Sequence, residues 1–171
     1  MQEGHSGTDR FMDNEQNLKI PERGYRNLRK GRYSQVGNYY FITTATQRKE
    51  KIFQSERCAR VVIDSIKWIE HRKKAENIVA IVMPEHLHWV FILKEGTLAD
   101  IVKSLKGFTA RKINQMLDRK GNIWQEQYYE HLVRKNEALL NIAKYCLNNS
   151  VRRGLVDDFH CYPYWLCKYE V

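Results

Sequence analysis

The stretch Met83-Pro84-Glu85-His86-Leu87-His88-Trp89-Val90-Phe91-Ile92-Leu93 decides how the rest of the chain is read. Beyond the turn residues Pro84 and Glu85 it alternates histidine with apolar residues and then runs on through β-branched and aromatic ones. That is the composition of a short strand covered on both faces. In this register His86, His88, Val90 and Ile92 share one face, and Leu87, Trp89, Phe91 and Leu93 share the other. The two histidines then stand about 6.5–7 Å apart along the strand, a spacing that lets both imidazoles grip one metal ion. A histidine in an apolar strand is ordinarily a core residue satisfied by a hydrogen bond. The pair therefore marks a site only where further chemistry converges on it.

Working outward, Ile78-Val79-Ala80-Ile81-Val82-Met83 is a second buried strand, and Pro84 ends it, so the two strands pair as a hairpin. Upstream, Tyr39-Tyr40-Phe41-Ile42-Thr43-Thr44-Ala45-Thr46 reads as the first strand. Between them the spacing of Ala59, Val62, Ile66 and Ile69 predicts a helix from about Ser55 to Arg72. Ser55 stands at its cap, and Arg72, Lys73 and Lys74 load the end that favours cations. Downstream, Leu98, Ile101, Val102, Leu105, Phe108 and Ile113 form the inward stripe of a helix over 98–119. Gly121-Asn122 turns the chain into a strand over 128–133.

Strand, helix, strand, strand, helix, strand is the order of a ferredoxin-like or RRM-like α+β sandwich, an antiparallel sheet with two helices on one face. The opposite face, onto which His86 and His88 can point, is left for a third helix over 137–153. Its stripe is Leu139, Ile142, Ala143 and Cys146, and Tyr145 and Asn149, four residues apart, lie on one side at the border of that stripe. Residues 154–171 are expected to fold back as a packed irregular end.

The chain has 171 residues, enough for one domain, 38–171, behind a polar and turn-rich arm, 1–37. A net charge of +9 with 12% aromatic residues points to a polyanion, because Lys and Arg displace counterions from phosphate and rings stack on unpaired bases. Arg26, Arg29, Lys30 and Arg32, interleaved with tyrosines in the arm, and Lys106, Arg111 and Lys112 on the second helix are the candidate nucleic-acid contacts. No apolar run is long enough to span a membrane and the first residues hold no signal-peptide core, so a cytoplasmic protein is expected, associated with the nucleoid when it acts on DNA. Cys58, Cys146, Cys161 and Cys167 form no Cys-x-x-Cys pair and are expected to be reduced, mostly buried thiols.

Three segments taken in order resemble a known family: Met83 to His88, Ile123 to His131, and Tyr145-Cys-Leu-Asn-Asn-Ser-Val-Arg-Arg-Gly-Leu-Val156. Together they are similar to the single-tyrosine HUH transposases, and most closely to the REP-associated tyrosine transposase branch. The resemblance spans about Arg29 to Trp165. It implies that His86 and His88 are metal ligands, that Tyr145 is the nucleophile, and that Asn149 completes the metal site. It also implies that the basic arm helps recognise a DNA hairpin with a short 5′ single-stranded guide. Ser150 departs from the pattern, which most often has proline there.

The residue types suit that chemistry. A phenol is a weak nucleophile at neutral pH, and Mg²⁺ or Mn²⁺ held by two imidazoles and an amide oxygen would polarise a phosphodiester for its attack. The expected activity is a single-strand or hairpin DNA endonuclease and strand transferase, expected as a monomer rather than a homodimer, that forms a 5′-phosphotyrosine. The alternative is a non-catalytic nucleic-acid-binding module that stacks bases on Tyr39-Tyr40-Phe41. A zinc nucleobase deaminase needs a His-x-Glu and a Pro-Cys-x-x-Cys, and the chain has neither. Glu85 is read as a turn carboxylate ahead of an orienter of a histidine or metal-bound water, His131 as a structural hydrogen-bonding residue ahead of a ligand, and Trp124, Tyr128 and Tyr129 as core.

Overall fold

The computed structural model describes residues 34–133 and 139–171. The arm residues Arg26, Arg29, Lys30 and Arg32 and the expected start of the third helix lie outside them. The described residues belong to one compact unit. Ser34 and Gly37, expected with the arm, are tied into it: Ser34 Oγ accepts from the Leu98 amide at 3.0 Å and the Gly37 amide donates to the Leu93 carbonyl at 2.7 Å.

The elements are β1 (Tyr39–Ala45), α1 (Glu56–His71), β2 (Ala75–Met83), β3 (His86–Leu93), α2 (Leu98–Met116), β4 (Tyr129–Val133), α3 (Leu139–Leu147), α4 (Asn149–Arg152) and β5 (Trp165–Cys167). The sheet order is β4-β1-β3-β2-β5 with every neighbouring pair antiparallel. The first four strands follow the expected sandwich, with β2 and β3 as its hairpin. Each crossover helix carries the chain over one intervening strand, which puts α1 and α2 on the same face.

That face holds the main core. Ile42, Ala80, Val82, Leu87, Trp89, Phe91 and Leu93 pack against Val62, Ile66, Ile69, Ile101, Leu105 and Ile113. Burying each large side chain contributes about 1.5–3 kcal/mol, and Trp89→Ala alone would cost about 3–5 kcal/mol. On the opposite face α3 packs on β2, bringing Ile142, Ala143, Cys146 and Leu147 into burial.

Several expectations are corrected. Phe108 is 45% exposed, not inward. The inward position belongs to buried Thr109, whose hydroxyl accepts from Trp124 Nε1 at 2.9 Å and donates to the Leu105 carbonyl at 2.8 Å. A polar residue satisfied within the core hid the true stripe. The second helix also stops at Met116, because Asp118 takes φ 46° and the Arg119 amide turns back to the Asn114 carbonyl.

The last helix is two helices. Asn149 Nδ2 donates to the carbonyls of Tyr145 and Cys146, each at 3.1 Å, claiming acceptors that a continuous backbone ladder would use. The tail, finally, is not wholly irregular: Trp165–Cys167 adds β5 to the edge of β2, where Lys168 pairs with Glu76. Of the cysteines, Cys58 and Cys146 are buried, Cys167 is intermediate and Cys161 is exposed, so burial is less general than expected. Ser55 stands at the cap of α1, but its hydroxyl makes no capping bond.

Candidate active site

Strand pairing assembles the site by placing partners on one face. Across the sheet the register joins Tyr129, Thr43, His88, Ile81 and Trp165, and beside that row Ala45, His86 and Met83. His86 and His88 are 8% and 5% exposed. Their Nε2 atoms face each other at 3.1 Å. On their far sides, His86 Nδ1 meets Glu85 Oε1 at 3.1 Å and His88 Nδ1 meets Thr43 Oγ1 at 2.7 Å.

These three contacts indicate where the protons sit. A carboxylate only accepts, so His86 Nδ1 carries a proton and its Nε2 is a lone pair. With both imidazoles neutral, His88 donates from Nε2 to His86, and the Thr43 hydroxyl donates to His88 Nδ1. Burial holds the proton affinity of both rings below the ordinary histidine range. At His88, the neighbouring His86, Arg152 and Arg153 add to this. Neutral imidazoles are what a metal requires.

The geometry fits a shared divalent cation. Metal-nitrogen bonds of about 2.1 Å meeting near a right angle separate two donors by about 3 Å, the spacing found here. Only one proton lies between the rings, and Thr43 can accept as readily as it donates, so His88 can shift its proton to Nδ1 and present a second lone pair. Among the described residues no group of three His, Cys, Asp or Glu side chains could hold a metal. The imidazole pair would supply two nitrogens to such an ion.

Tyr145 and Asn149 form a second group at the α3–α4 junction. Asn149 is buried, and its Oδ1 accepts from Arg152 Nη2 at 2.8 Å. The Arg152 guanidinium also stands 4.2 Å from the centre of the Tyr145 ring. The two groups are joined through adjacent arginines. Arg153 Nη2 lies 3.0 Å from Glu85 Oε1, the oxygen that meets His86, and the charge of Arg152 is felt at His88. Asn149 therefore stands with Tyr145 as its spacing suggested, while its amide oxygen is engaged by Arg152.

Sequence reasoning missed Thr43, Arg152 and Arg153, and it ranked a turn role for Glu85 above the orienting of a histidine, whereas Glu85 meets His86. The signal for Thr43 lay in strand alternation, but its partner follows only from the register. His131 lies in the row beside Thr43, opposite Phe41. Trp124 is buried, whereas Tyr128 and Tyr129 are half-buried. On the helix layer, behind the sheet as seen from the histidines, Arg111 and Lys112 are exposed. Lys106 Nζ donates to the carbonyls of Gln125 and Glu126 at 2.5 and 3.1 Å, fastening the loop before β4.

Residues 34–149 match the family model of IS200-like transposases. The chain belongs to that family. Within it the similarity runs to the REP-associated tyrosine transposases, as the three motifs implied. One such protein, from Escherichia coli K12, is 23% identical over 132 residues, covering 77% of each chain. A Haemophilus influenzae protein whose name assigns it provisionally to the same group is 26% identical over 139 residues, covering 75% of this chain and 78% of its own. In fold, the chain is similar to a REP-associated tyrosine transposase solved with a REP hairpin, at a TM-score of 0.64 and 23% identity, over 84% of this chain and 81% of that one. Among the described residues no helix is long and apolar enough to cross a membrane.

Proposed function

We propose that this transposase cleaves and rejoins DNA at the single-stranded flank of a hairpin, through covalent attachment to Tyr145. The observation that carries the proposal is the imidazole pair, whose Nδ1 atoms are both engaged so that the Nε2 atoms converge. The ion pair between Glu85 and Arg153 links that pair to the end of α4, where the adjacent Arg152 stands over the Tyr145 ring. The name of the solved relative, bound to a REP hairpin, supports a hairpin as the DNA partner.

His86 and His88 would hold Mg²⁺ or Mn²⁺, with Asn149 Oδ1 as a third protein ligand once Arg152 releases it. Such a cation supplies charge neutralisation at the non-bridging phosphate oxygens. Glu85 fixes the His86 tautomer, and Thr43 follows the His88 proton between its two nitrogens. Tyr145 Oη bonds to phosphorus as the bond from phosphorus to the 3′-oxygen breaks. The phenolic proton leaves Tyr145, the 3′-oxygen ends as a hydroxyl, and the strand stays joined as a 5′-phosphotyrosine. Attack by a 3′-hydroxyl of another strand reverses the step with no other energy source, because one phosphodiester has replaced another. Glu85, against His86, pairs with Arg153 at the end of α4 within one chain, which supports a monomer as the working unit.

The test is formation of a denaturation-resistant protein-DNA adduct on hairpins with a single-stranded 5′ extension, in Mn²⁺. Wild type forms it, Tyr145→Phe does not, and His88→Ala loses cleavage while largely keeping hairpin affinity. Equal adduct from wild type and Tyr145→Phe would remove Tyr145 from the mechanism.

A further inference from the structure

Arg152 and Arg153 are neighbours with different surroundings. Arg153 is paired with Glu85. Among the described residues Arg152 has no carboxylate partner: its guanidinium rests on the Tyr145 ring and donates to Asn149 Oδ1. The nearby carboxylate, Glu85, is already engaged by Arg153 and by His86. A solvent-exposed guanidinium without counter-charge is matched by an anion, and its planar fork fits two oxygens of one phosphate.

We propose that Arg152 is a catalytic residue with two positions, held on Tyr145 and Asn149 before DNA arrives and transferred to the scissile phosphate when DNA enters. The proposal rests on the reading of Tyr145 as the nucleophile for a phosphodiester. In the first position Arg152 occupies the amide oxygen of Asn149 and sets a positive charge beside the imidazole pair, which weakens cation binding in the DNA-free chain. In the second its N–H groups hold the non-bridging oxygens, and Asn149 Oδ1 is released toward the imidazoles. DNA and cation consequently favour each other's binding, by the same factor in both directions.

The experiment uses the full chain as wild type, Arg152→Ala and Arg152→Lys. Mn²⁺ affinity is measured by calorimetry without DNA, and adduct formation is timed on the hairpins above at saturating Mn²⁺. Arg152→Ala is expected to bind Mn²⁺ about three- to tenfold more tightly than wild type, from the lost like charge, yet to form adduct about 100-fold more slowly, as for a lost transition-state donor. Arg152→Lys keeps the charge, so its Mn²⁺ affinity stays near wild type and part of the rate returns. A merely structural role would weaken both binding and rate. Mn²⁺ binding by Arg152→Ala no tighter than wild type, or adduct formed at the wild-type rate, overturns the proposal. Should wild type form no Tyr145 adduct, the nuclease reading fails, and the Mn²⁺ comparison still decides whether Arg152 shields Asn149.

Discussion

Thr43→Val removes one hydroxyl from the site while keeping the shape of the side chain. In the metal-free chain Thr43 donates to His88 Nδ1 across 2.7 Å. Without the hydroxyl an acceptor nitrogen loses its partner, the cheaper of the two defects. When both Nε2 lone pairs turn to a cation, the His88 proton must sit on Nδ1, and beside valine it becomes a buried, unsatisfied donor, His88 being 5% exposed. A lost partner for a buried donor costs about 1–3 kcal/mol. Allowing for the smaller cost already present without metal, the difference is about 1–2 kcal/mol, or roughly 5- to 30-fold in affinity. That agrees with the 10- to 100-fold loss usual when an outer partner of a ligating histidine is removed. Calorimetric titration of Mn²⁺ at pH 7.5 measures it directly, with Thr43→Ser expected to remain within about threefold of wild type, since serine keeps the hydroxyl. If Thr43→Val binds Mn²⁺ within twofold of wild type, or Thr43→Ser is equally impaired, the proton assignment is wrong.

Three further outcomes follow from the same geometry. His86 and His88 bind protons less readily folded than unfolded. Without metal, stability is therefore full above the unfolded value of about 6.5 and falls as pH drops below it, because the unfolded chain then takes up protons that the folded chain refuses. Urea midpoints at pH 7.5 and 5.5 check this, and a midpoint that does not fall at pH 5.5 contradicts it. Burial pushes the Cys146 thiol up to about 12, so a thiol reagent at pH 8 should label exposed Cys161 well before Cys146, read by peptide mass mapping. Tyr162→Phe removes the 2.7 Å bond from the buried phenol to the Val82 carbonyl and should destabilise the fold by about 1–2 kcal/mol in denaturant titration. A loss below about 0.3 kcal/mol would mean that water replaces the bond.

Much of the fold was legible in the residues because its signals are local. Alternation in Tyr39–Ala45 and His86–Leu93 and the helical stripes of α1 and α2 each depend on neighbours a few positions away. Legibility failed where a polar group is satisfied at a distance. Thr109 replaced Phe108 on the inward stripe because it meets Trp124, and the helix break at Asn148 follows from a side-chain amide taking backbone carbonyls. Three residues of β5 are too few to show a period.

The sequence by itself determined that His86 and His88 share a strand face, which follows from the repeat of one strand, and it paired Tyr145 with Asn149 by their four-residue spacing, although a helix break separates them. Only the tertiary structure decided what completes each pair. Thr43 reaches His88 from another strand, Arg153 after α4 binds Glu85 in the turn between β2 and β3, and Arg152 settles on Asn149 and Tyr145. Hydrogen bonds and ion pairs act over about 3 Å in space whatever the separation along the chain, so the partners of a buried polar group become known only when strand register and helix packing have brought them together.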